Sequence, residues 1–202
     1  LAEESPVAGT EDDKVVVVAV PDSGNTATLG YARVNEKTYP TRYEIGLIRS
    51  HYVGRTFIAP GQNTREFKVK TKFNVVRGVL EHRRVVVVDD SIVRGTTSKA
   101  LVSLIREAQP REVHLRITSP PVKHPCMYGM DFPSREELIA NHFDNEEAIG
   151  KELGVDSLRY LSVQGLMDAV PHAPGTGYCS ACFTGDYPIE IDVHADKLSI
   201  EL

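Results

Sequence analysis

The feature that most constrains this chain is Val85–Thr97, which runs VVVVDDSIVRGTT. Four consecutive valines show no alternation, so a strand built from them must be buried on both faces, as in a parallel sheet. Asp89 and Asp90 end the run. Ser91, Ile92, Val93, Arg94, Gly95, Thr96 and Thr97 follow, and the helical pattern of Ser98–Ala108 comes next. In open α/β sheets, ligands gather at the carboxyl ends of strands. A loop of small and hydroxyl residues entering a helix offers backbone N–H groups and hydroxyls to a phosphate. The acid pair beside it would face a partner that wants anionic acceptors, such as sugar hydroxyls or Mg²⁺. The plainer alternative is a buried strand, a solvated acidic turn and a helix cap, since acids before a helix favour its dipole whatever the function. The run has neither the GxxxxGK[ST] of a P-loop nor the GxGxxG of a dinucleotide fold.

The same plan recurs upstream. Lys14–Val20 (KVVVVAV) is a second buried strand, followed by the turn Pro21–Thr26 and a helical stretch, Ala27–Val34. In a parallel sheet both turns open on one edge, which would bring Ser23 near Asp89 and Asp90; read alone, Ser23 is a helix cap. Leu1–Val7 has the look of a helix tail, and polypeptide is expected upstream of it. Glu44–Ile48, Glu112–Ser119 and Asp156–Leu161 are further strands. Glu136–Ala140, Asn145–Leu153 and Ser162–Val170 are expected helices. The alternation implies an α/β domain, a mostly parallel sheet with helices on both faces, over residues 1–170.

Two stretches break the pattern. His51–Lys72 lacks clean periodicity, holds Gly54, Pro60 and Gly61, and carries Arg55, Arg65, Lys68, Lys70 and Lys72. A long irregular basic segment suits a lid over a polyphosphate, or simply a solvated loop. Residues 171–202 form an irregular Pro/Gly-rich C-terminal segment with Cys179 and Cys182 in a CxxC. That pair could be a redox couple, half a zinc site, half an iron–sulfur site or two unrelated thiols. Cys126 would add a third sulfur and His124 a candidate fourth ligand.

Bulk properties set outer limits. The 202 residues suffice for one full α/β core. A net charge of −5 gives no pull toward nucleic acid or an anionic membrane. No apolar run approaches the ~20 residues of a spanning helix. Three cysteines are too few for a disulfide framework. A reducing, cytoplasmic setting is expected.

Taken together, Val85–Thr97, Tyr52–Ile58 (YVGRTFI), Pro21-Asp22-Ser23, the HPCMYG around Cys126 and Cys179–Pro188 (CSACFTGDYP) resemble glutamine phosphoribosylpyrophosphate amidotransferase. The likeness runs from Leu1 to about Ile191, and Val85–Thr97 resembles the phosphoribosyl pyrophosphate (PRPP) signature of type I phosphoribosyltransferases. The resemblance implies transfer of glutamine-derived nitrogen, as ammonia, to C1 of PRPP. The products would be phosphoribosylamine and pyrophosphate, at the start of purine synthesis. It implies Mg²⁺ at Ser23, Asp89 and Asp90, and PRPP held by Asp89, Asp90 and Ser91–Thr97. Arg55 and Lys72 would meet the pyrophosphate from a closing loop, Tyr52–Lys72. It further implies a [4Fe–4S] cluster on Cys126, Cys179 and Cys182, with the tail folded back over the Cys126 loop and a fourth cysteine expected upstream. Feedback by purine nucleotides and a homo-oligomer at full length belong to the same expectation. The family's glutaminase domain and its N-terminal cysteine have no counterpart in this sequence, so the match is to the phosphoribosyltransferase half. A PRPP-sensing regulator and a purine-salvage phosphoribosyltransferase are the alternatives. The first would bring a DNA-binding module and a basic face, and the second gives no reason for Cys126 and CSAC.

Overall fold

The structure is a computed structural model describing residues 1–50, 69, 71–130, 134–170 and 177–190. Seven strands are present among these residues: β1 (Val15–Ala19), β2 (Thr41–Tyr43), β3 (Leu47–Arg49), β4 (Phe73–Val75), β5 (Arg84–Asp89), β6 (Glu112–Ile117) and β7 (Ser157–Tyr160). The longer helices are α1 (Asn25–Asn35), α2 (Thr96–Arg106), α3 (Glu146–Leu153) and α4 (Val163–Ala169). Five strands form one sheet in the order β2-β1-β5-β6-β7, and every pair in it is parallel. β3 and β4 make a separate antiparallel pair.

The valine runs form the centre of the sheet. Val16 lies opposite Val85 and Ala19 opposite Val88, so β1 and β5 are in step along their length. Side chains alternate between faces. Val16, Val18, Val85 and Val87 pack with Leu101, Val102 and Ile105 of α2 and Ile149 and Leu153 of α3. Val15, Val17, Val86 and Val88 pack with Tyr31 and Ala32 of α1 and with Ala2 and Val7. Helices therefore cover both faces, as the unbroken valines require, and the expected mostly parallel α/β fold is the observed one.

Several local expectations are corrected. The Leu1–Val7 segment forms a single turn, with Ser5 N–H donating to Leu1 O at 2.9 Å, rather than a helix tail. Of the expected Glu44–Ile48 strand only Leu47 and Ile48 are extended, in β3; Glu44–Gly46 link it to β2, and at Gly46 the Val18 and Leu80 side chains leave no room for a Cβ. Arg135–Glu137 and Ile139–Asn141 are two 3₁₀ turns rather than one helix. The caps of the last two helices follow their sequence: Asn145 accepts from Ala148 N–H, and Ser162 from Gly165 N–H.

One buried amide ties three segments together. Asn35, 1% exposed, accepts from Val7 N–H at 2.9 Å and donates to Val7 O at 3.0 Å and Thr41 Oγ1 at 2.8 Å. Asn35→Ala would strand both backbone groups of Val7 away from water. A loss on the order of 3 kcal/mol is expected, from two unsatisfied buried groups. A urea unfolding midpoint indistinguishable from the parent would contradict it.

Candidate functional site

The carboxyl ends of β1 and β5 open into a cleft of about 360 Å³. Its lining comes from the β1–α1 turn, from Lys72 and Phe73 at the start of β4, and from Asp89–Ser98 without Ile92. The β1–α1 turn is pressed against β5: Val20 N–H donates to Val88 O at 2.9 Å. A Cβ on Gly24 would lie 2.6 Å from Val88 O and 2.8 Å from Val20 O, so only glycine permits this approach. The result is that Ser23 Oγ donates to Asp90 Oδ1 at 2.8 Å. Ser23 thus lines the cleft beside the acids rather than capping a helix; α1 has Gly24 at its cap position and no side-chain cap.

The acid pair is asymmetric. Asp89 is withdrawn at the strand end, and burial, reinforced by the Asp90 carboxylate, pushes its pKa up to about 8 against a smaller opposing pull from Lys72. Burial acts on Asp90 in the same direction. Hydrogen bonds from Asp89, Ser23 and Ser91 outweigh it and hold Asp90 below the usual carboxylate range. Ser91 Oγ reaches Asp90 Oδ2 at 2.9 Å, and Asp90 N–H reaches Asp89 Oδ1 at 2.9 Å. Two carboxyl groups with one extra proton between them put a set of hard oxygen donors at the strand ends.

Beyond the acids, the loop divides its labour. Ile92 is 2% exposed and its side chain belongs to the core, so it can meet a ligand only through its backbone. Val93 turns its carbonyl to Ile139 N–H at 2.9 Å. Arg94 pairs with Glu137 at 2.7 Å on the cleft rim. Gly95 sits at the α2 cap position in the left-handed region, φ +75°, with no side-chain cap on the helix. The first N–H groups of α2 therefore face the cleft without an internal acceptor, beside the exposed Thr96 and Thr97. Lys72 lines the opposite wall and also lies 5.1 Å over the Phe73 ring. Arg55 and the rest of the expected lid up to Lys68 lie outside the described residues. Phe73, Val20 and Val69 also line the cleft; no sequence signal marked these apolar residues as site residues.

The cysteines occupy a second neighbourhood. Lys123 and His124 N–H groups both donate to Cys182 O, at 2.9 and 3.0 Å, and Tyr187 OH donates to Pro125 O at 2.6 Å. Residues 177–190 are therefore folded over the Cys126 loop. Burial raises the Cys182 pKa, and the neighbouring Cys126 and Cys179 add to the rise. Among the described residues no three His, Cys, Asp or Glu side chains are gathered as a set able to hold a metal ion. Nor, among them, is any helix long and apolar enough to cross a membrane.

The Asp89 shift fixes a pH dependence. Its folded pKa lies above the unfolded value, so its contribution to stability is complete below about pH 4 and is lost as pH rises through about 8. Unfolding free energy should fall across that window in the parent and stay flatter in Asp89→Asn. Parallel pH profiles for the two chains would contradict the assignment.

No family model matches the chain. Individual relatives match it along nearly all its length. It is 55% identical to an amidophosphoribosyltransferase of Archaeoglobus fulgidus over 192 residues, 95% of this chain and 40% of that protein. It is 55% identical to chloroplastic amidophosphoribosyltransferase 1 of Arabidopsis thaliana over 94% of this chain and 32% of that protein. Among solved structures, the Bacillus subtilis glutamine PRPP amidotransferase complexed with ADP and GMP superposes with a TM-score of 0.78 at 47% identity. That match covers 96% of this chain and 41% of that one. A second, described as the allosteric regulatory enzyme of purine biosynthesis, gives 0.79 at 48% identity. The chain spans about two fifths or less of the length of these relatives. Over the stretch it covers, this chain is similar in sequence and in fold alike to the amidophosphoribosyltransferases.

Proposed function

We propose that the chain is the PRPP-binding, ribosyl-transferring part of an amidophosphoribosyltransferase, in which ammonia derived from glutamine displaces pyrophosphate from C1 of PRPP. The observation that carries this reading is the cleft itself. Ser23, Asp89 and Asp90 are joined by hydrogen bonds on one side, and the uncapped start of α2 lies on the other. That spacing of oxygen acceptors from N–H donors suits a ribose 5-phosphate, its hydroxyls at the acids and its phosphate at the loop.

Ammonia is already a nucleophile, so the chain has no need to supply one. The barrier lies in the departure of pyrophosphate as positive charge develops on the ribose. Ser91–Thr97 anchor the 5′-phosphate and thereby fix the direction of attack. Asp89 and Asp90 hold the ribose hydroxyls and place negative charge beside the developing cation. Lys72 faces the acids across the cleft, where a leaving pyrophosphate would meet it, and Arg55 is proposed to join it. Two carboxylates fit Mg²⁺, which takes one or two such ligands together with substrate oxygens and water. Asp89 and Asp90, beside Ser23, would hold Mg²⁺, which when bound would supply positive charge against the leaving group. Purine nucleotides carry the same ribose 5-phosphate unit and are proposed to compete for the same cleft.

The three cysteines are proposed as three ligands of a [4Fe–4S] cluster whose fourth thiolate comes from outside this chain. What supports this is the donor chemistry, three soft sulfurs on two loops hydrogen-bonded to each other. This chain holds no fourth cysteine. A cytoplasmic setting and a homo-oligomer remain part of the proposal.

Incubation with PRPP, Mg²⁺ and ammonia should release pyrophosphate, whereas purine bases in place of ammonia should not. Asp89→Asn or Asp90→Asn should lower that rate on the order of 10²–10³-fold, the usual cost of removing one preorganised electrostatic contact. Near-normal turnover in both variants would remove the acids from the chemistry. Mg²⁺ should also raise the melting temperature more at pH 8 than at pH 5, because at the lower pH a proton competes for Asp89. An equal shift at both pH values would contradict cation binding at the pair.

A further inference from the structure

The phosphate loop does not stand alone. Residues 134–141 run behind it and touch it three times. Ile139 N–H donates to Val93 O at 2.9 Å. Glu137 accepts from Arg94 Nε at 2.7 Å. The Ile139 side chain fills the space over Gly95 so fully that a Cβ there would lie 2.3 Å from Ile139 Cδ1. Leu138 and Ile139, at 0% and 6% exposure, fix the segment to the core.

The other end of the segment is tied to the cysteine loop. The Asn141 amide donates to Lys123 O at 2.9 Å and to Arg135 O at 2.9 Å, so one side chain closes the turn and joins it to the next loop. From Lys123 the connection continues through its own N–H, and that of His124, to Cys182 O. Hydrogen bonds no longer than 3.0 Å, joined by short stretches of backbone, thus lead from Cys182 to Val93, beside the residues proposed to hold phosphate.

Resting on the proposed PRPP site, we infer that residues 134–141 are a strut that positions the phosphate loop, and that Asn141 couples this strut to the cysteines. A chemical change at Cys126, Cys179 or Cys182 alters the grip on the sugar phosphate without touching it. The three residues that matter are positioning residues. Ile139 sets the left-handed turn at Gly95, Glu137 holds Arg94 at the rim, and Asn141 transmits displacement of the 122–128 loop. Spatial continuity alone does not establish coupling, so the measurement must compare the two ends.

Binding of PRPP with Mg²⁺ by titration calorimetry provides it, on the purified chain before and after carbamidomethylation of its cysteines with iodoacetamide. Carbamidomethylation of the parent should weaken PRPP binding about fivefold, the scale of one net hydrogen bond. Asn141→Ala should weaken binding by a similar factor, raise KM for PRPP and leave kcat at saturation within about twofold. Carbamidomethylation of Asn141→Ala should then add little. Glu137→Gln, an exposed change with small risk to folding, should raise KM in the same selective way. Affinity unchanged by carbamidomethylation, or lowered equally in the parent and in Asn141→Ala, would overturn the coupling while leaving the PRPP reading intact. Failure of the unmodified chain to bind PRPP would overturn both.

Discussion

The candidate site depends on the pairing of β1 with β5. Two valine runs in register bring two strand ends to the same height, and each strand end carries its turn with it. Ser23 and Asp90 are 67 residues apart in sequence and 2.8 Å apart in space because of that register. A parallel slip of one residue would exchange the faces of every valine and set the inner rows against the wrong helices. Burial on both faces therefore fixes the site indirectly. The core tolerates only one register, and that register places a serine beside an acid pair.

The acid pair is held at an electrostatic cost. Asp89 lies where burial opposes its ionisation, and its neighbour is another carboxylate. Such a pair is stable with a proton between its members or with a cation across them. Near neutral pH Asp89 keeps its proton, which relieves the repulsion between the two carboxyl groups. The cleft opposes this acidic corner with Lys72 on one wall and the uncapped amides of α2 on the other. Acidic and basic features thus line the same cleft, as the proposed sugar phosphate requires.

Much of this arrangement was legible in the sequence. Unbroken valines can be satisfied only by a sheet covered on both sides, and the strand-turn-helix plan, repeated, placed both turns on one edge. Ser23, a helix cap when read alone, was brought near the acids by that shared edge, and the close approach allowed by Gly24 turns it to Asp90. What escaped was local. The two strands Thr41–Tyr43 and Leu47–Arg49 are three residues each, too short to show a period. The 3₁₀ turns at 135–141 are shaped by their contacts with Val93 and Lys123, partners distant in sequence. Ile92 sits within the signature but its side chain belongs to the core, a distinction that burial shows and a motif does not. The role of Phe73 in the cleft wall likewise comes from tertiary placement, since an apolar residue at a strand start carries no chemical signal.

The central claim is that the loop entering α2 grips the phosphate of PRPP. Hydrogen exchange at the backbone amides of Arg94–Ser98, with and without PRPP and Mg²⁺, tests it most directly. Those amides lack helix-internal acceptors, so they should exchange readily in the free chain and be slowed at least tenfold when phosphate oxygens accept from them, about 1.4 kcal/mol of protection. Unchanged exchange at these amides under saturating PRPP, with protection appearing elsewhere on the molecule, would contradict the account.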